Sequence, residues 1–81
     1  MPKDRKTTVA GVPVEYEWSR LTNAYTGKRI WVLVVTARFN PSMSVRAEVH
    51  KARVSCDQAA VLEGDLLQVL KDRAIQRARY G

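Results

Sequence analysis

Hydrophobic and polar residues alternate from Val12 to Leu21 in the way that a half-buried β-strand requires. The polar side of this first strand carries Glu15, Glu17 and Ser19, and Pro13 fits the start of a strand or an edge strand because it lacks an amide hydrogen. The opposite side carries four apolar residues: Val12, Val14, Tyr16 and Trp18. A polar loop follows, and a second strand is predicted from Lys28 or Arg29 to Phe39.

The second strand differs from the first because both of its faces are apolar. One face carries Trp31, Leu33, Val35, Ala37 and Phe39, and the other carries Ile30, Val32 and Val34. Such a run is typical of a strand that is covered on both sides, yet the chain predicts one helix to cover it. We therefore expect a second copy or another molecule on the other face. The candidate interface residues are Trp31, Leu33, Val35 and Phe39, although the pattern does not decide which face the helix covers.

A third strand and a helix complete the predicted elements. The third strand begins at Met43 after an Asn40-Pro41-Ser42 turn, and its alternation changes side near His50. This change predicts either a bulge at His50-Lys51 in a strand that reaches Val54, or a strand that ends near His50. The segment Ser55 to Gln58 has the sequence of a capping box and predicts the start of a helix. Apolar residues at helical spacing then form the expected buried stripe: Ala59, Leu62, Leu66, Val69, Leu70 and Ala74.

These elements predict an α+β fold, with a three-stranded antiparallel meander packed on one C-terminal helix and dimerising through the sheet. Residues 1–8 are expected to form a flexible basic arm, and residues 9–81 a single small domain. A chain of 81 residues has a modest core, and its one cysteine excludes an internal disulfide. Association is therefore the expected source of additional stability.

The formal net charge is +6, and the basic excess is unevenly distributed. Gly27 to Ser55 contains six basic residues against Glu48 alone. These residues are the predicted binding site: Lys28, Arg29, Arg38, Arg46, Lys51 and Arg53. The expected partner is the phosphate backbone of nucleic acid or an acidic protein surface, although solubility alone also explains a basic chain. Tyr25, Trp31 or Phe39 would stack on bases if exposed, with core packing as the alternative.

The sequence contains no recognisable catalytic or metal-binding pattern. His50 is the single histidine and lacks a nucleophile and a carboxylate at a triad spacing, so an ordinary strand residue is the favoured interpretation. Cys56 stands in the first turn of the helix, where a packed small residue is favoured over a reactive thiol. We predict a non-enzyme without cofactor or metal. The absence of a signal-like or membrane-spanning apolar run, together with a lone thiol, predicts a cytoplasmic location.

Three functions fit these features. The first is a nucleic-acid-binding accessory or regulatory protein, a homodimer that uses its basic strands and its N-terminal arm. The second is an inhibitor or adaptor, encoded by a phage or mobile element, that binds a host protein in an anti-defence or takeover role. It is favoured by the doubly apolar strand and the Arg-rich surface, since Arg is enriched at protein interfaces. The third is a subunit that assembles by strand addition at a sheet edge.

The order of three strands and a helix, over about Val14 to Leu70, resembles double-stranded RNA-binding domains in outline. It is also similar to the small sheet-plus-helix DNA-binding modules of phage integrases. The helix here opens with Cys56-Asp57-Gln58, whereas the RNA-binding family has a lysine-rich start to its last helix and an additional first helix. No functional residue is carried over from either family.

Overall fold

A computed structural model describes the backbone of residues 3–80 and the side chains of residues 3–79. Its elements are β1 (Arg5–Val9), β2 (Val12–Thr22), β3 (Arg29–Asn40), β4 (Met43–Lys51) and α1 (Cys56–Tyr80). The strands form one antiparallel sheet in the order β1-β2-β3-β4, and α1 packs on β3 and β4. The α+β prediction with a C-terminal helix is confirmed. In the described part of the chain, no helix has the length and apolar character needed to cross a membrane.

The sheet has four strands rather than the predicted three, because Arg5–Val9 pairs with β2 along Val12 to Tyr16. The second half of the predicted flexible arm, residues 5–8, is therefore part of a strand, while its first residues, Met1 and Pro2, lie outside the described residues. A two-residue turn joins the strands, and both of its residues have positive φ, 52° at Ala10 and 81° at Gly11. Turns of this kind match the twist of a hairpin, and Gly adopts the conformation without strain. The turn was not predicted because Ala-Gly is not one of its preferred sequences.

The structure decides which face of β3 packs on the helix. Leu33, Val35 and Ala37 are fully buried beneath α1, and Trp31 meets Trp18 edge to face at a centroid distance of 6.2 Å. Phe39 is half-buried at the edge of the same core. Trp31, Leu33 and Val35 therefore serve the protein's own core, and they are not the surface open to a partner that the sequence predicted.

The other face of the sheet, which we call the outer face, is not covered by any described element. Its centre is the β3 row of Ile30, Val32 and Val34. Val32 is nevertheless only 4% exposed. Ile30 and Val34 are half-buried. The apolar residues on this side of β3 thus lie on a sheet face where Ile30 and Val34 remain partly accessible to solvent.

The ends of β4 and α1 follow local signals. Strand β4 stops at Lys51, so the alternative with a strand ending near His50 is confirmed and the bulge there is wrong. The one irregularity in the β3–β4 register lies between Arg38 and Asn40, beside the turn. At the start of α1, the Gln58 amide donates to the Ser55 hydroxyl at 3.2 Å, and the Ser55 amide donates to Gln58 Oε1 at 3.0 Å. This is the predicted capping box.

A buried carboxylate connects the helix with β1 and β2. Glu63 is 8% exposed and accepts the Trp18 indole N–H at 2.9 Å and an Arg5 guanidinium N–H at 2.6 Å. The Arg5 guanidinium also lies 4.7 Å from the centre of the Tyr16 ring. Burial raises the pKa of the Tyr16 phenol, Arg5 partly opposes this, and Glu63 adds to the rise. Sequence periodicity did not predict a charged residue inside the apolar stripe of α1.

The C-terminal half of α1 covers the free edge of β4. Arg73 donates to the carbonyl of Arg46 at 3.1 Å, and Arg77 donates to the carbonyl of Ser44 at 3.4 Å. Unpaired carbonyls at a sheet edge are a template for another strand, so these contacts occupy part of that template. The opposite edge is the short strand β1.

Candidate nucleic-acid interface

The outer face of the sheet does not carry the predicted basic surface. Arg38 and Arg46 both lie on it, as near diagonal neighbours on β3 and β4. However, the strand registers place three basic and three acidic residues on this face: Lys6, Arg38 and Arg46 against Glu15, Glu17 and Glu48. Lys6 is paired with Glu15 at 3.6 Å, and His50 lies 3.7 Å from Glu48. The face is therefore electrically balanced and offers no concentrated attraction for phosphate.

The other predicted basic residues gather at one end of the sheet, where β3 begins and β4 ends. In the register, Trp31 lies opposite Arg20 on β2 and opposite Lys51 on β4. Arg29 lies two residues before Trp31 on the same face, and Arg53 follows Lys51 in the connection to α1. We call this cluster the basic end, and it comprises Arg20, Lys28, Arg29, Lys51 and Arg53.

The charges of the basic end are free to act on a ligand. All five side chains are exposed, and none makes a salt bridge within the described residues. The Arg20 guanidinium lies 4.5 Å from the centre of the Trp31 ring, which fixes its position through a cation–π contact. The indole of Trp31 is 8% exposed beneath it, so Trp31 supports the cation rather than offering its own face to a base.

A groove of about 350 Å³ extends the basic end towards the start of α1. It is lined by Lys51, Arg53, Asp57, Gln58, Val61 and Leu62. Asp57 is the acidic residue of the first helical turn, where a carboxylate is stabilised by the helix dipole. It reduces the positive charge of the groove without cancelling it, since Asp57 is the one acidic residue in a lining that also contains Lys51 and Arg53.

The loop between β2 and β3 projects from the same end and has a defined structure. The Asn23 side-chain oxygen accepts the amides of Tyr25 at 2.8 Å and Thr26 at 3.2 Å. Two backbone bonds of 2.8 Å close the loop, from the Asn23 amide to the Lys28 carbonyl and from the Gly27 amide to the Asn23 carbonyl. Gly27 has φ of 70°, which suits a residue without a side chain. The Tyr25 side chain at its tip is 99% exposed.

The structure therefore separates the six predicted binding residues into two groups. Four of them meet at the basic end: Lys28, Arg29, Lys51 and Arg53. Arg38 and Arg46 lie apart on the balanced outer face. Arg20 was missed because the net charge of its own segment is negative. The alternation of β2 could have indicated its position, since Arg20 lies on the same strand face as Tyr16 and Trp18, just beyond the apolar residues.

Of the three aromatic residues considered for base stacking, Tyr25 alone is exposed, while Trp31 is buried and Phe39 half-buried. Cys56 is exposed at the helix start. His50 has no partner other than Glu48 among the described side chains. In residues 3–80, no group of three His, Cys, Asp or Glu residues is arranged to hold a metal ion.

Comparison with known proteins adds no family to this picture. No protein-family model, curated protein or solved structure matches the chain. The resemblance to RNA-binding domains and integrase modules thus stays a similarity in the order of elements. The chemistry of the basic end is the basis for any functional conclusion.

Proposed function

We propose that this protein is a small non-enzymatic nucleic-acid-binding protein that contacts phosphates through the basic end. The observation that carries the proposal is the cluster itself. The ends of β2 and β4, the start of β3, the β2–β3 loop and the connection to α1 supply one exposed cation each. None of these five side chains forms a salt bridge with another described residue. Arg and Lys that neutralise phosphates release condensed counterions, and this release supplies most of the free energy of non-specific binding.

The geometry favours nucleic acid over an acidic protein for two reasons. The cations form a rim around Trp31 and the β2–β3 loop, and a polyanion with regularly spaced phosphates can follow such a rim. The cluster also offers no exposed apolar side chain at its centre, where a protein interface is usually anchored, because Trp31 is covered by Arg20. The apolar residues Val61 and Leu62 lie to one side, in the groove.

The test is a pair of triple variants with equal charge loss. In the first, Arg29, Lys51 and Arg53 are each replaced by Gln, which removes three charges from the basic end. In the matched control, Arg38, Arg46 and Arg79 are replaced by Gln, which removes three charges elsewhere. All six residues are exposed. Binding of a fluorescein-labelled oligonucleotide is followed by fluorescence anisotropy over a range of salt concentrations, and circular dichroism checks that both variants fold.

The first variant should bind at least about tenfold more weakly at low salt, and its slope of log affinity against log salt should fall by about 2 to 3. The control should bind nearly as the wild type does. Equal losses in both variants would assign binding to net charge rather than to the basic end. Undetectable binding by the wild type at low salt would refute the proposed function.

The outer face supports a second candidate, an inhibitor or adaptor that binds another protein or a second copy of this chain. No described element covers its apolar row, in which Ile30 and Val34 are half-buried, and Leu21 beside the row is 51% exposed. Size exclusion coupled to light scattering distinguishes the occupants. A dimer that becomes a monomer in Val34→Arg would place the second copy on this face, whereas a dimer that persists in the variant would exclude it.

A further inference from the structure

We infer that Tyr25 stacks on an unpaired base, so that the basic end prefers single-stranded over double-stranded nucleic acid. This inference rests on the proposed function and specifies its substrate class. Tyr25 is at the tip of the β2–β3 loop, between two strand ends that carry Arg20 and Arg29, and Lys28 follows within the loop. An exposed aromatic residue therefore lies on the loop that joins the strand ends carrying these cations of the basic end.

The Tyr25 side chain is not packed against the described part of the protein. Its side chain is 99% exposed, whereas Tyr16, on β2, is 3% exposed in the core. Its neighbours in the loop are small or polar, so the ring is not part of an apolar patch of the kind that anchors a protein interface. A Tyr ring instead offers a flat π-face, and every base offers another.

The loop also holds the backbone of Tyr25 in a defined conformation. Asn23 accepts two loop amides, and the Thr26 hydroxyl accepts the Lys28 amide at 3.3 Å. Backbone bonds close the loop on both sides of the ring. A loop whose backbone is already ordered loses less conformational entropy on binding, so a larger part of the stacking free energy appears as affinity.

Stacking of this kind requires a base whose face is open. In a duplex each base is stacked between its neighbours, and a single aromatic side chain gains access only by separating them at a cost of a few kcal/mol. Unpaired bases in single strands, loops and bulges carry no such cost and are commonly stacked on aromatic side chains. Phosphate contacts by the basic end serve either form, so Tyr25 is the residue that discriminates.

The experiment compares a labelled thymidine oligonucleotide of about 20 nucleotides with a duplex of the same length. The proteins are the wild type, Tyr25→Ala, and Tyr25→Phe as the control that keeps the ring. Tyr25→Ala should bind the single strand about tenfold more weakly, bind the duplex unchanged and retain the salt slope. Tyr25→Phe should bind as the wild type does. Because the Tyr25 side chain is solvent-exposed, the substitutions leave the core intact.

A second readout reports stacking directly. In Tyr25→Trp the new indole is exposed, whereas Trp18 and Trp31 are buried, so quenching of its fluorescence by the single strand follows contact with a base. Unchanged single-strand affinity in Tyr25→Ala, with loss of binding in the Arg29, Lys51 and Arg53 variant, would overturn the stacking role and leave the proposed function intact. Equal losses for single strand and duplex would overturn the discrimination. Binding of neither nucleic acid by the wild type would overturn both.

Discussion

Replacing Glu63 by Ala tests whether a buried carboxylate holds the helix to β1 and β2. The substitution removes the acceptor of the Trp18 indole N–H, which is bound at 2.9 Å, and of the Arg5 guanidinium at 2.6 Å. The Trp18 side chain is buried, so an unsatisfied indole donor costs about 1–3 kcal/mol. The Arg5 side chain is 57% exposed and regains water, so its ion pair adds no more than about 0.5 kcal/mol.

We therefore expect Glu63→Ala to lower the free energy of unfolding by about 2 kcal/mol. With a urea m-value of about 1 kcal/mol per molar, typical of a small domain, the midpoint falls by about 2 M. Glu63→Gln is the matched control, since it removes the charge but keeps an acceptor for the Trp18 donor. It should lose less than half as much stability.

Urea unfolding followed by tryptophan fluorescence measures both values, because both Trp residues lie in the core. A Glu63→Ala variant within about 0.5 kcal/mol of the wild type would refute the reasoning, since an orphaned buried donor costs more than that. Equal losses in Ala and Gln would show that the charge, and not the hydrogen bond to Trp18, is what matters.

Two further predictions concern the buried Tyr16 phenol and the contacts of α1 with β4. Burial raises the pKa of the Tyr16 phenol above its ordinary value of about 10, so the folded state keeps this proton more tightly than the unfolded state does. The resulting stability is fully present below that ordinary value and is lost as the pH rises through the folded-state pKa. Urea midpoints measured between about pH 8 and 11 should therefore fall in the wild type and fall less steeply in Tyr16→Phe. Identical slopes in the two proteins would contradict this prediction. Replacing Arg73 and Arg77 by Gln should cost less than about 1 kcal/mol in unfolding free energy but should release two edge carbonyls of β4. Light scattering over a concentration series should then show self-association that Arg79→Gln lacks, and matching behaviour of the two variants would speak against edge protection.

Local chemistry made much of the fold predictable. The capping box at Ser55 and Gln58 required nothing beyond four consecutive residues, and alternation from Val12 to Trp18 placed β2. Strand β1 was not predicted because Arg5–Val9 is charged and weakly apolar, and it forms a strand through pairing with β2. The burial of Glu63 was not predicted for a related reason, since it depends on Arg5 and Trp18, which are distant in the chain.

The candidate site also depends partly on local sequence signals and partly on contacts between distant residues. The sequence by itself determined β2, β3, β4 and α1, the basic excess and the candidate residues Lys28, Arg29, Lys51 and Arg53, because periodicity and charge are properties of neighbouring residues. Only the tertiary structure decided that Arg38 and Arg46 lie on a balanced face, that Arg20 joins the basic end, and that Tyr25 is exposed while Trp31 is buried. The register between strands and the side of the sheet that the helix covers decide these placements, and both depend on packing between distant parts of the chain.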